Sequence, residues 1–121
     1  MNHIKPVELK PLEFLGSSQK DLREMPVEVR HALGVELMTV QGGGEPSDFK
    51  PMPRVGADAY EIRCRDANGA FRVVYVAKFI EAIYVLHAFQ KKTEKTAKYD
   101  IGLAAKRYKM IGTTDHEKNR E

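Results

Sequence analysis

Hydrophobic residues in the first third of the chain recur at helical spacing. Apolar side chains three or four residues apart predict an amphipathic helix that begins near Pro26 and ends at the glycine run Gly42–Gly44. A shorter helix is predicted before it, from Ser17 and Ser18, which suit the N-cap position, to about Met25. We therefore expect a helical hairpin with a tight turn at Pro26. The apolar stripe of the longer helix comprises Val29, Leu33, Leu37 and Val40.

Strand-like alternation follows a loop that is rich in proline. One short strand is expected earlier, within Glu8–Leu15, and an edge strand inside the loop, near Met52–Val55. From residue 60 onward apolar and charged residues alternate, and Asn68-Gly69 predicts a type I′ turn into a returning strand over Phe71–Lys78. The more apolar run Ala82–Phe89 predicts a third strand in the centre of the sheet.

The helical period returns at the end of the chain. A helix is predicted over Thr96–Ile111, with Gly112 as its end and a polar tail over 113–121. The order of elements predicts an α+β domain, in which the helical hairpin and the C-terminal helix pack on one face of a twisted antiparallel sheet. We expect a single domain over 1–121, with its core at about 8–112. The apolar stripe of the last helix comprises Ala97, Ile101, Ala104, Tyr108 and Ile111.

Composition limits the class of protein. The 121 residues are 42% hydrophobic and 31% charged, as in an ordinary globular domain, and no apolar run is long enough to cross a bilayer. The first ten residues have no apolar signal core, and the single cysteine, Cys64, forms neither an internal disulfide nor a metal site alone. We therefore expect a cytoplasmic protein without membrane association, bound metal or cofactor.

Positive charge is concentrated in the second half of the chain. The formal net charge is only +3, but residues 63–112 carry 11 basic and 4 acidic side chains. Such a field favours a polyanionic partner, and a nucleic acid is the obvious one. The alternative is a solvated, lysine-rich surface without a ligand.

The predicted hairpin places three arginines on one face of the sheet. If Asn68-Gly69 forms the centre of the turn, Arg65 lies opposite Arg72, and Arg63 shares their face because side chains alternate along a strand. Like charges opposite each other are destabilising, so an anion is expected there. Either Glu61, which is on the same face, or a bound phosphate supplies it, since a guanidinium group matches a phosphate well.

Further basic and aromatic residues follow the third strand. His87 is either a hydrogen-bonded structural residue or a group for proton transfer. The lysines after the strand either form a solvated turn or border the arginine face. Tyr99, near the start of the last helix, either packs or stacks on a base. The lysines and arginines between the third strand and Gly112 are Lys91, Lys92, Lys95, Lys98, Lys106, Arg107 and Lys109.

Other enzyme signatures are missing from the sequence. Gly42–Gly44 is not followed by the Gly-Lys-Ser/Thr of a phosphate-binding loop, and no Gly-x-Ser-x-Gly motif occurs. No paired carboxylates or metal-ligand spacing stand out.

Three stretches together resemble the RelE/ParE toxin superfamily. They are Ala59-Tyr60-Glu61-Ile62-Arg63, Phe71-Arg72-Val73-Val74-Tyr75-Val76 and Val85-Leu86-His87-Ala88-Phe89-Gln90-Lys91-Lys92-Thr93. The opening Lys10–Ser18 and the closing Ala105-Lys106-Arg107 are similar to its phage-derived, HigB-like branch. The likeness covers roughly residues 8–112 and implies the helical hairpin and twisted sheet predicted above.

The resemblance implies metal-independent cleavage of mRNA, usually on the ribosome. The ribose 2′-OH attacks the adjacent phosphate, which needs a base for the hydroxyl, positive charge at the phosphate and an acid for the leaving 5′-oxygen. By resemblance, Arg72 stabilises the phosphate, and Arg63 matches a basic position on the preceding strand. Lys91 and Lys92 match a basic pair that contacts phosphate or supplies the acid. Two further catalytic candidates are His87, for proton transfer, and Glu61, for the base, although relatives often have lysine at the position of Glu61.

The resemblance also implies partners. We expect a helix-turn-helix antitoxin, mRNA and the ribosome, with assembly as a dimer or as a toxin–antitoxin complex. Two alternatives are a ParE-like inhibitor that acts on gyrase through protein contacts and a non-catalytic module that binds RNA or an antitoxin. The residues expected to bind RNA are Arg65, Lys95, Lys98, Tyr99, Lys106 and Arg107.

Overall fold

The structure is a computed structural model that describes residues 8–93 and 96–118. These residues form a short strand, two helices, four strands and a long helix. No helix among them has both the length and the apolar character that crossing a membrane requires. The elements are β1 (Leu12–Phe14), α1 (Ser18–Arg23), α2 (Val27–Gln41), β2 (Phe49–Pro51), β3 (Ala59–Asp66), β4 (Gly69–Val76), β5 (Ile83–Lys91) and α3 (Lys98–Lys118).

The five strands form one sheet in the order β1-β5-β4-β3-β2. The predicted α+β fold is confirmed, with two corrections to the sheet. β1 runs parallel to β5, so that the sheet is mixed, and β4 lies at the centre while the predicted central strand, β5, lies beside it. The parallel pair joins Leu12 to Ile83. A contact between residues so far apart in sequence leaves no local pattern that predicts it.

Helices cover both faces of the sheet, which corrects the prediction that all of them pack on one face. α1 and α2 bury the predicted stripe of α2 against one face, whereas α3 packs on the other. The reason lies in β4, where Phe71 to Val76 is buried throughout, so that both faces of the central strand need cover. The first core includes Leu33, Leu37, Ile62, Val73 and Val85, and the second includes Val74, Val76, Leu86, Ala104 and Ile111.

Two elements have a boundary that differs from the prediction by more than two residues. The edge strand is Phe49–Pro51, because Met52 and Val55 are buried in the turn that follows it. α3 begins at Lys98 and continues through Gly112 to Lys118. A glycine inside a helix costs only about 1 kcal/mol and does not end it without a further stop signal. By contrast, α2 does end at its predicted glycine, Gly42.

The β3–β4 hairpin is shifted by two residues from the predicted pairing. Asp66 pairs with Gly69, so that the central turn residues are Ala67 and Asn68. The Asp66 carboxylate accepts a 2.7 Å hydrogen bond from the Asn68 amide, which is an Asx turn. A type I′ turn needs positive φ at both central residues, and among non-glycine residues of the described chain only Asp58 has a positive φ.

The shifted pairing changes which arginines face each other. Arg72 lies opposite Arg63, and Arg65 lies opposite Ala70. Because side chains alternate along a strand, a shift of two residues leaves every side chain on its predicted face. The predicted arginine face is therefore confirmed, although the predicted pair Arg65–Arg72 is wrong.

Candidate nucleic-acid interface

The arginine face lies on the side of the sheet that also carries α3. Its side chains form three rows across β3, β4 and β5. All the predicted catalytic residues except Lys92 belong to these rows. From the hairpin turn inward, the rows are Arg65–Ala70–Lys91, Arg63–Arg72–Phe89 and Glu61–Val74–His87, and Lys50 of β2 extends the last row. We call this surface the basic face.

Arg72, in the middle of the basic face, is buried against a carboxylate of the same chain. Its Nε lies 3.3 Å from Oε1 of Glu61, and the two side chains are 4% and 0% exposed. Burial lowers the pKa of the Arg72 guanidinium, and the charge of Glu61 acts in the opposite direction. Glu61 therefore supplies the anion that the facing arginines require.

The environment of this pair is incompletely hydrogen-bonded. The Thr96 hydroxyl donates a 2.9 Å hydrogen bond to Oε2 of Glu61, and Nη1 of Arg72 donates to the Phe71 carbonyl. The facing atoms, Oε1 of Glu61 and Nε of Arg72, have no hydrogen-bond partner among the described residues, so their contact is ionic only. For Glu61 to act as a base, Thr96 and Arg72 must first release its carboxylate.

Accessible positive charge surrounds the buried pair. Arg63 and Lys91 are half-buried, and Arg65 and Lys92 are exposed. A groove of about 570 Å³ contains Arg65, Lys91 and Lys92. A second groove, of about 310 Å³, lies beside Thr96 and is lined by Lys50, Arg54 and residues around them. Both grooves carry basic side chains, which suit the backbone of a polyanion.

Lys91 differs electrostatically from an ordinary surface lysine. Desolvation lowers the pKa of its ammonium group, and the positive charge of Arg72 lowers it further. Glu61 opposes this effect, while Lys50 and Arg63 add to it. Lys91 therefore gives up a proton more readily than an ordinary lysine, which is the property of a general acid.

His87 stands at the end of the basic face that lies nearest α3. Its Nε2 lies 2.7 Å from Oδ1 of Asp100, and its ring stacks on Phe89 with centroids 4.6 Å apart. Its Nδ1 is buried and has no hydrogen-bond partner in the described part of the chain. The contact with Asp100 fixes the ring, as expected for a structural histidine, but His87 also lines a groove between α1 and α3.

Arg107, predicted to bind RNA, is buried inside the protein. β5 has a bulge opposite Val74 and Tyr75, where Leu86 is left without a partner in β4. Nη1 of Arg107 donates a 2.9 Å hydrogen bond to the Leu86 carbonyl, and its Nη2 donates a 3.2 Å bond to the Ser17 hydroxyl. The side chain thus joins α3 to β5 and to the start of α1.

Replacement of Arg107 by methionine is expected to reduce the free energy of unfolding by about 1–3 kcal/mol. The substitution leaves the Leu86 carbonyl buried without its donor. Urea denaturation followed by circular dichroism measures the loss. Lys106→Met is the matched control, because Lys106 is exposed and a surface change typically alters stability by about 0.5 kcal/mol or less. Equal losses in the two variants would contradict the structural role of Arg107.

Three more of the residues predicted to bind RNA lie in the first half of α3. Lys98, Tyr99 and Lys106 are exposed, and Tyr99 is 75% exposed. Lys95 lies outside the described residues. Among those that the structure does describe, no group of three histidine, cysteine or acidic side chains has the arrangement of a metal site.

Several residues of this surface were missed in the sequence. Asp100 contacts His87, and Thr96 contacts Glu61, each across the gap between a strand and α3. No local pattern predicts such contacts. Lys50 had a visible signal, because it alternates with Phe49 and Pro51, but the prolines indicated a loop there. Arg54 belongs to the same loop.

Comparisons with known proteins agree with this fold. The family described as "Phage derived protein Gp49-like (DUF891)" matches residues 20–109. Among solved structures, the chain is similar to an arginine-to-alanine double mutant of the E. coli toxin RelE in the free state. The TM-score is 0.63 at 22% sequence identity, over 82% of this chain and 97% of that chain. Among curated proteins, none matches the sequence significantly.

Proposed function

Because the chain belongs to the family of phage-derived Gp49-like proteins, which are RelE-type toxins, we propose that it is a toxin that cleaves mRNA without a metal ion. The family and the RelE-like fold supply the class of protein and imply an antitoxin partner. The observation that carries the reaction is the basic face itself. Arginines and a lysine of lowered pKa lie together on a surface with open grooves.

The proposed reaction is attack of the ribose 2′-OH on the adjacent phosphate. The new bond joins the 2′-oxygen to phosphorus, the bond to the 5′-oxygen breaks, and a 2′,3′-cyclic phosphate and a 5′-hydroxyl result. Arg63 and Arg65 hold the phosphate, and Arg72, which lies opposite Arg63, adds its charge when the Glu61 carboxylate releases it. Lys91 protonates the leaving oxygen, while Lys92 contacts a neighbouring phosphate.

The first half of α3 completes the proposed RNA-binding surface. Lys98 and Lys106 contact phosphates, and Tyr99 stacks on a base. Glu61 keeps Arg72 in place in the free protein, and it acts as the base for the 2′-OH once Thr96 and Arg72 have released its carboxylate. The antitoxin, for which we propose a helix-turn-helix protein, neutralises the toxin in the cytoplasm.

Controlled expression, together with an assay on purified translating ribosomes, tests this proposal. We expect the wild type to arrest growth and to cut mRNA, with less cleavage when ribosomes are omitted. Arg63→Ala is expected to reduce cleavage by about 10–100-fold, since it removes a charge at the reacting phosphate. Arg30→Ala, which removes an exposed arginine from α2 on the other face, is expected to cleave like the wild type.

Two results would contradict the proposal. Arrest of DNA replication with intact mRNA would indicate a gyrase inhibitor of the ParE kind. Binding of RNA that weakens steeply with salt, without cleavage on or off the ribosome, would indicate a non-catalytic module.

A further inference from the structure

A pocket of about 250 Å³ lies on the face of the sheet that α1 and α2 cover, opposite the basic face. It opens where α2 ends, beside β2, β3 and β4. The pocket has room for one long side chain, and the proposed reaction does not use it. Its lining includes Lys10, Val40, Glu45, Phe49, Tyr60 and Tyr75.

Three aromatic rings in contact with one another line this pocket. The ring of Tyr60 lies between the other two, with its centroid 5.6 Å from that of Phe49 and 6.0 Å from that of Tyr75. The sheet fixes the row, because Tyr60 and Tyr75 are direct partners across β3 and β4. Aromatic faces carry negative partial charge and attract a cation that lies above them. The aromatic lining therefore suits a cationic group.

The Tyr75 hydroxyl is an unused polar group in this pocket. The residue is only 4% exposed, and its hydroxyl has no hydrogen-bond partner among the described residues. The oxygen is not fully enclosed, in contrast to the unpartnered atoms of Glu61 and Arg72, so that it opens on the pocket that the side chain lines. A hydroxyl in this position is available to accept a hydrogen bond from a ligand.

The charged side chains that act most strongly on this hydroxyl are acidic. Burial raises the pKa of Tyr75 to about 12, and the charges of Glu45 and Glu36 raise it further. Lys10 also lines the pocket, but its ammonium group donates a 2.6 Å hydrogen bond to the Ala77 carbonyl. The field at the aromatic rings thus favours a cation and disfavours the phosphates that the basic face attracts.

An apolar border continues from the pocket along the outer side of α2. Leu9 is 47% exposed, and its Cδ2 would lie 3.7 Å from a Cβ atom at Gly42, where α2 ends. Met38 and Val35, one and two turns earlier on α2, are 56% and 50% exposed. A small cation in the pocket would leave this border in water, whereas a protein chain would cover it. The border therefore favours a cation that a protein carries.

We infer that this pocket binds an arginine side chain of a protein partner, which also covers the apolar border. The planar guanidinium stacks on the tyrosine rings, and its N–H groups donate to the Tyr75 hydroxyl and to the Glu45 carboxylate. Its apolar stem packs on Val40. The inference goes beyond the proposed function and does not rest on it, because the pocket and the basic face lie on opposite faces of the sheet.

Nuclear magnetic resonance on the full chain with a short peptide tests the pocket. The probe is a tripeptide with arginine between two glycines and with both ends blocked. It is expected to shift the backbone amides of Gly44, Tyr60 and Tyr75 with millimolar affinity, as befits a single side chain. The same peptide with citrulline, which has the shape of arginine but no charge, is expected to bind about tenfold more weakly.

Matched variants connect the binding to individual groups. Tyr75→Phe is expected to weaken the arginine peptide about 2–10-fold and to leave the midpoint of thermal unfolding unchanged, because the lost hydroxyl has no partner in the free protein. Glu45→Gln is expected to weaken it as well, through the loss of a negative charge. Two controls are expected to bind like the wild type. They are Tyr99→Phe, on the exposed side of α3, and Glu13→Gln, at the opposite edge of the sheet from β2.

Three outcomes would overturn the inference. Equal binding of the arginine and citrulline peptides, or no shift with either, would show that the pocket does not recognise a cation. Spermidine that binds there more tightly than the arginine peptide would indicate a site for small polyamines instead of a protein. An oligouridylate that shifts the pocket amides would join the pocket to RNA binding. A failed cleavage assay would refute the nuclease alone, since the peptide experiment contains no RNA substrate.

Discussion

Replacement of Arg72 by methionine is expected to lower the free energy of unfolding by about 3–5 kcal/mol. The substitution leaves the Glu61 carboxylate fully buried without its counter-ion, and only the Thr96 hydroxyl remains to stabilise it. Glu61→Met is expected to cause a loss of similar size, because it leaves the Arg72 guanidinium buried and unpaired. Chemical denaturation at neutral pH, followed by circular dichroism, measures both changes.

The double variant Glu61→Met/Arg72→Met separates coupling from simple loss of packing. We expect it to be far more stable than the sum of the single changes predicts, since buried ion pairs often contribute little more than an apolar replacement. Nε of Arg72 and Oε1 of Glu61 lie 3.3 Å apart and form no hydrogen bond, which also indicates that the pair contributes little net stability. Arg65→Met, an exposed change on the same face, is the control. Additive losses in the double variant would show that the two side chains act independently.

This pair determines how the function has to be tested. Loss of activity in Arg72→Ala does not distinguish a missing phosphate contact from an unfolded protein. Arg63 faces Arg72 across the hairpin but is only half-buried, so that its removal changes the field at the phosphate without leaving a buried charge. Arg63 is therefore the better residue for an activity assay.

The sequence was sufficient to predict the basic face, and the reason is the period of a strand. Side chains alternate between the two faces of a strand, so a shift of the β3–β4 pairing by an even number of residues leaves each side chain on its face. The arginine face therefore keeps Arg63, Arg65 and Arg72 after such a shift. The pairing itself depended on the turn. Asn68-Gly69 is a strong turn signal, but the Asp66 side chain binds the Asn68 amide and moves the turn back by one residue. Competition between two local turn signals is not resolved by propensity alone.

The sequence contains a signal that helices cover both faces of the sheet, but our prediction did not take it into account. Val73-Val74-Tyr75-Val76 is apolar without interruption, a pattern typical of a strand that is buried on both faces. The contacts that build the candidate site had no such signal. Thr96 reaches Glu61 and Asp100 reaches His87 because α3 starts beside the end of β5, and this position depends on the packing of the second core.

Removal of the Lys91 side chain in Lys91→Ala is expected to slow cleavage by about 10²–10⁴-fold, the usual contribution of a general acid. The acid is active only when protonated, so that the wild-type rate falls as pH rises through the pKa of Lys91. That fall is expected below the pH at which an ordinary lysine titrates, because desolvation and the charge of Arg72 favour the neutral form. Single-turnover cleavage of a short mRNA on ribosomes, measured as a function of pH, gives both the rate loss in Lys91→Ala and the pH at which the wild-type rate falls.

Two matched variants separate proton transfer from charge. Lys91→Arg keeps the positive charge but does not release a proton in this pH range, so that RNA affinity is expected to persist while the rate stays low and its alkaline fall disappears. Lys92→Ala removes the adjacent, more exposed lysine, whose Nζ contacts the Gln90 side chain at 3.3 Å. Its loss is expected to weaken binding in a salt-dependent way, with little change in the rate at saturation. If Lys91→Ala and Lys92→Ala had equal effects at every pH, Lys91 would act through its charge alone, and the acid would have to be sought elsewhere on the basic face.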